Sequence, residues 1–230
     1  NCGGDSPAKM GIMIEDMDAA CKIAKENGTS IVRLHVHFGN SYLSKDIDKF
    51  PAIVQTVQHA LEICEGHGFD IREIDLGGGF GVPYQKDEVA FDFSKWANIL
   101  KSNMDLEGIR VIIEPGDYIV KNAGVMVTTV NTVEKKRNTK FVGINAGMNL
   151  NVIPAYYGVV SLPLPVMKRD GSEKVTVAGN LNESIDVWIK DYEMTTVIEG
   201  DLLALVNSGG YAESMRTLHS LRTEYRTILL

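Results

Sequence analysis

Apolar residues change their spacing about halfway along the chain, and the two spacings predict two kinds of structure. In Ile47–His67, the residues Ile53, Val57, Ala60, Leu61 and Cys64 recur at intervals of three and four, the repeat of a helix with one buried face. Glu15–Asn27 predicts a second helix, with acidic residues early, lysines late and Gly28 just past its end. Phe93–Ser102 predicts a third. Between them lie short runs rich in β-branched residues, Ile31–Phe38, Ile71–Leu76 and Ile109–Gly116, which read as strands. Strand alternating with helix at this spacing predicts βα units and a parallel sheet.

Past about Val125 the helical repeat stops. "GVMVTTVNTVEKK", "TKFVGINAG", "EKVTVAGN", "SIDVWIKD" and "DLLALVNSGGY" are short runs separated by turn residues. They predict a mostly antiparallel β domain without a helix of any length. The boundary falls between Asn122 and Val127, giving a βα part over 1–125 and a β domain over 126–230. There is no internal repeat and no low-complexity tract.

Composition narrows the function classes. Hydrophobic residues at 44% and charged residues at 23% of 230 are ordinary for a globular chain. A net charge of -7 argues against nucleic acid, which needs a clustered basic face. The densest cationic run, Glu134-Lys135-Lys136-Arg137-Asn138, reads as a solvated turn. No apolar run approaches the roughly 18 residues of a membrane span. Three cysteines, Cys2, Cys21 and Cys64, show no metal-binding spacing and favour free thiols in a reducing, cytoplasmic setting. The chain opens on a polar, glycine-rich stretch without an initiator methionine, which reads as the middle of a longer protein. Trp96 and Trp188 read as core or interface packing, Cys64 as a buried small hydrophobe, and His219, near Arg222, as a surface residue before one that lines the cleft.

Candidate chemistry gathers where the strands end, in "HFGNS", "GGGFG" and "EPGDY". In βα barrels the active-site groups sit at those ends. Gly77-Gly78-Gly79 is costly in conformational entropy. It reads either as a phosphate cradle of bare backbone amides or as a tight turn that needs positive φ. His35 and His37 share a face of their strand; without a supporting third ligand they read as one packed histidine and one lining the pocket, with no metal. Glu114 ends the apolar stretch "VIIEPG". If buried there it needs a partner: a protonated heterocyclic nitrogen, a lysine or a backbone amide.

Seven stretches, in order, resemble the fold-type III pyridoxal-phosphate decarboxylases, the diaminopimelate and ornithine decarboxylase group. They are "SPAKMGI", "LHVHFGNS", "IDLGGGFGVPY", "IIEPGDYIVKNAGVMVTTV", "NAGMNLNVIPAYY", "VAGNLNESIDVW" and "GDLLALVNSGGYAESM". The resemblance implies an α/β fold, the C-terminal half of a βα (TIM-like) barrel followed by a mostly antiparallel β domain, with pyridoxal 5'-phosphate as cofactor. It implies that Gly77, Gly78 and Gly79 cradle the phosphate, helped by Gly116, Asn40 and the hydroxyl of Tyr211. It also implies that Glu114 faces the pyridine nitrogen, that His37 stacks on the ring, and that Asn182 and Glu183 face the substrate across a homodimer with shared active sites.

The departures from the family pattern are as specific. The Schiff-base lysine belongs to an early barrel strand that the chain does not include, since Lys9 matches a different position. Asp117 stands where the family has the arginine of Glu-Pro-Gly-Arg, and Ile153 where it has that of Ile-Arg-Pro. Asn182 stands for the cysteine of Cys-Glu-Ser, and Asn40 for a serine. Loss of both arginines implies an amino acid, free or carrier-bound, other than diaminopimelate. The competing expectation is an inactive relative kept as a regulatory or dimerising protein.

Overall fold

The computed structural model describes residues 9–85, 87–222 and 225–230. Cys2 and the first three residues of "SPAKMGI" lie outside them. The chain divides into two compact units, Asn1–Ile119 and Val120–Leu230.

In the first unit, strands β1 (Arg33–His35), β2 (Glu73–Asp75) and β3 (Arg110–Ile112) form a parallel sheet in that order, with β2 central. Helices α1 (Met17–Glu26), α2 (Phe50–Gly66) and α3 (Phe93–Asn103) connect and cover them. Local chemistry sets the helix ends. Asp92 caps α3 by accepting the Lys95 amide at 2.9 Å. Gly28 ends α1 in the left-handed region, its amide bonded to the Lys25 carbonyl.

The register places Leu34, Ile74 and Val111 side by side, and all three pack into the helix-side core with Val54, Val57 and Leu61. The opposite face carries Arg33, Glu73 and Arg110 in one row and His35, Asp75 and Ile112 in the next. One face is therefore oily and the other ionic, as alternation along each strand requires. Cys21 and Cys64 meet in the core with sulfurs 3.7 Å apart, both as free thiols. Burial, then the neighbouring Cys21 sulfur, pushes the Cys64 thiol up to about 12.

A short helix α4 (Asp117–Val120) precedes the second sheet. That sheet contains β4 (Met126–Lys136), β5 (Thr139–Ile144), β6 (Pro163–Pro165), β7 (Ser172–Ala178), β8 (Val187–Thr195) and β9 (Leu202–Leu205). Their order is β6-β9-β4-β5-β7-β8, antiparallel except for β5 with β7. The basic run around Arg137 is the β4–β5 hairpin turn, with Arg137 at φ 54°. One helix of five residues, α5 (Ile153–Tyr157), interrupts the strands. Trp188 is core, its indole N–H donated to the Ala146 carbonyl at 3.2 Å. No helix among the described residues is long and apolar enough to cross a membrane.

Candidate functional site

The loops that follow the three parallel strands interlock. Pairing continues past the strands: the Leu76 amide donates to the Ile112 carbonyl, and the Glu114 amide to the Gly77 carbonyl at 2.8 Å. The Tyr42 amide donates to the Gly79 carbonyl at 2.9 Å, so the loop after β1 is tied to the glycine triplet. A Cβ on Gly77 would lie 2.5 Å from the Val36 carbonyl oxygen. On Gly78 it would lie 2.2 Å from the Glu114 carbonyl oxygen, and on Gly79 2.2 Å from that of Gly39. Each glycine makes room for a different neighbouring backbone. Just beyond, the Phe80 ring packs against Phe91, Phe93 and Trp96 and anchors the loop in the core.

Among the described residues, the amides of Gly78 and Gly79 donate to no protein acceptor. Gly77 differs: its amide donates to Asp75 Oδ1 at 3.0 Å. The other oxygen of Asp75 takes the Arg33 guanidinium and lies 3.3 Å from His35 Nδ1. Asp75 is 0% exposed. Burial alone would raise its pKa, but the Gly77 amide, Arg33 and His35 outweigh it and hold the carboxyl below the usual range. Glu73 extends the network to Arg110.

Two expectations change here. The buried carboxylate is Asp75, on the central strand, whereas Glu114 lies two residues past β3 and is exposed. Neither histidine is packed: His35 and His37 are both exposed on the ionic face, because only the opposite face meets the helices. The ligand atoms of His35, Asp75 and Glu114 lie within 4.8 Å of one another, but Arg33 already holds the Asp75 oxygen nearest His35. Arg33 and Asp75 were missed by sequence reasoning. Their signal was the alternation Arg33, His35, His37 on one face, beside an acid in an apolar strand.

The second unit holds Tyr211, Asn182 and Glu183. Tyr211 is half exposed at φ 61°, following Gly209, whose amide donates to the Lys121 carbonyl at 3.0 Å. The loop carrying Asn182 and Glu183 is organised by Asp186, which accepts the amides of Met148 at 2.7 Å and Leu181 at 2.8 Å. Glu183 Oε1 lies 3.0 Å from His219 Nε2, and both side chains are partly exposed, so His219 meets a candidate site residue at the surface. Ile153 is buried at the start of α5.

Residues 1–121 match the pyridoxal-binding domain of the pyridoxal-dependent decarboxylases. The chain belongs to that family. Diaminopimelate decarboxylase of Methanothermobacter thermautotrophicus is 33% identical over 99% of the chain and 55% of its own length. That of Aquifex aeolicus is 28% identical over 99% of the chain and 54% of its own length. The chain thus spans about half the length of the curated relatives it matches. The crystal structure of the Helicobacter pylori diaminopimelate decarboxylase with L-lysine superposes with a TM-score of 0.82 at 26% identity, over 95% of this chain and 54% of that one. The strand-end loops fit the family's cofactor, pyridoxal phosphate: the amides of Gly78 and Gly79 are unbonded, and glycine there lets the loops after all three strands close around them.

Proposed function

We propose that the protein decarboxylates an α-amino acid, free or carrier-bound and other than diaminopimelate, with pyridoxal phosphate as cofactor. The observation that carries this is the pair of unbonded amides, Gly78 and Gly79, beside Glu114 and His37 at the ends of three parallel strands. Bound pyridoxal phosphate supplies an electron sink for the pair released when CO₂ leaves.

The chain's own residues would hold and orient the cofactor. Gly78 and Gly79 would donate to the phosphate, with Asn40, Gly116 and the Tyr211 hydroxyl as further donors. The Glu114 carboxylate would keep a proton on the ring nitrogen, and His37 would lie against the ring. CO₂ must be replaced by a proton at the α carbon. Asn182 is an amide and not an acid, so the group that would deliver it is the neighbouring Glu183, paired with His219. Asp117 and Ile153 offer no cation to a second substrate carboxylate, which is why diaminopimelate is set aside. We place the protein in the cytoplasm as a homodimer with shared active sites.

The test is CO₂ release by the full-chain protein loaded with pyridoxal phosphate, from a panel of α-amino acids that includes diaminopimelate. Release from at least one, reduced about a hundredfold or more in Glu114→Ala, is expected on the basis of lost charge stabilisation at the ring. Loaded protein that releases CO₂ from none would overturn the activity. Diaminopimelate as the best substrate would overturn the specificity.

A further inference from the structure

We infer that Asp75 is a positioning residue that aims the phosphate cradle by pinning Gly77, and that Arg33 acts through it. The inference rests on the pyridoxal-phosphate reading of this site and deepens it. Only two of the three glycine amides are open; the third is committed to Asp75 Oδ1 at 3.0 Å. Gly77 sits at φ 63° with Val36 pressed against it, so its orientation fixes where the chain enters Gly78 and Gly79. A glycine held at its N–H by Asp75, and at its carbonyl by the Glu114 amide at 2.8 Å, has both flanking peptide units fixed and little freedom left.

Charge makes the arrangement unexpected. A carboxylate 0% exposed, two residues from an anion site, should repel the anion. The Arg33 guanidinium on Oδ2 offsets that charge from the far side, leaving Oδ1 to act as a hydrogen-bond acceptor. Asp75 is thus joined on one side to the phosphate loop and on the other to the cation row of the ionic face. The carbonyl of the same residue, Gly77, accepts the Glu114 amide, so the groups for the two ends of the cofactor share one residue as support.

The experiment uses the full-chain protein and two probes, pyridoxal phosphate and pyridoxal, which lacks the phosphate. Their dissociation constants are measured by titration, alongside hydrogen exchange of the Gly77 amide by NMR without ligand. The wild type should prefer pyridoxal phosphate and protect Gly77. Asp75→Ala should expose Gly77 to exchange and weaken pyridoxal phosphate about tenfold or more, leaving pyridoxal unchanged. Asp75→Asn, which keeps an acceptor for Gly77, should stay within about threefold of wild type, about 0.65 kcal/mol. If the alanine variant does not fold, Asp75→Glu keeps the charge for Arg33 but displaces the acceptor, and should show the same selective loss. Equal weakening of both probes, or Gly77 protection that survives removal of Asp75, would overturn the positioning role while leaving the cofactor reading intact. A wild type with no preference for the phosphorylated probe would overturn the cofactor reading, and the inference with it.

Discussion

Each unit holds a candidate site loop with a buried aspartate, yet the pKa values of the two aspartates are shifted in opposite directions. Asp75 is 0% and Asp186 4% exposed, and both accept backbone amides. Asp75 adds the Arg33 guanidinium and His35, and its pKa is lowered. Asp186 accepts two amides; burial dominates, the amides of Leu181 and Met148 and the charge of His219 oppose it, and its pKa is raised. Burial does not decide the sign; a partner cation does. The first loop is further locked by backbone packed against glycines, while the second depends on Asp186 for its shape.

That difference predicts its largest effect at the glycines. Gly79→Ala places a Cβ 2.2 Å from the Gly39 carbonyl oxygen at φ 86°, with backbone that cannot yield. It should cost about 3 kcal/mol or more, combining overpacking with left-handed strain. Gly200→Ala in the second unit has a similar φ of 91° with nothing within 4 Å, and should cost only the strain, about 1 kcal/mol. Urea unfolding of both variants measures the gap; equal costs would mean that the interlocked loops are looser than described.

The next effect belongs to Asp186. Its replacement by alanine leaves the Met148 and Leu181 amides without an acceptor, at about 1–3 kcal/mol for each group that stays buried. A total near 2–3 kcal/mol is expected in the same assay. A loss under 1 kcal/mol would mean that water replaces the carboxylate and that the loop is not organised by it.

Much of this architecture was legible in the residues. Apolar spacing located α2, the charge order and Gly28 located α1, and β-branched runs located the three parallel strands, because each element buries one face against the same core. The seven stretches located the family and the glycine loop. Pairing partners were not legible. Glu114 was expected to be the buried acid because it follows an apolar run, but burial is set by place in the sheet, and the central strand carries Asp75. His219 is partly exposed as expected, but its contact with Glu183 was not legible, since it spans 36 residues and exists only once the β domain is folded. Long-range ion pairs leave no periodic mark in a sequence.

The two pKa directions predict opposite pH behaviour, worth about 1.4 kcal/mol for each unit of difference between the folded and unfolded pKa. A lowered pKa means that the unfolded chain binds the proton more readily. The Asp75 contribution is therefore full above the ordinary value near 4 and is lost as pH falls through its folded pKa. For Asp186 the folded chain holds the proton more readily, so its contribution is full at low pH and is lost as pH rises from about 4 through its raised pKa. Unfolding midpoints of Asp75→Asn and Asp186→Asn between pH 3 and 7 isolate the two. The deficit of Asp75→Asn against wild type should shrink toward pH 3, while that of Asp186→Asn should shrink toward pH 7. Trends of the same sign would break the comparison between the two units.

The smallest effect is expected where a pair stands in partial contact with water. Glu183 and His219 lie 3.0 Å apart with side chains 40% and 35% exposed, so solvent and salt screen them and holding both in place costs entropy. His219→Ala should change stability by no more than about 0.5 kcal/mol. By contrast, Asp186, three residues from Glu183 and buried, should matter several times more. A His219→Ala loss above 1 kcal/mol would mean that the histidine braces the Asn182–Glu183 loop as a structural part. A loss within the expected limit means that the contact is a solvent-screened pair and that the loop takes its shape from Asp186.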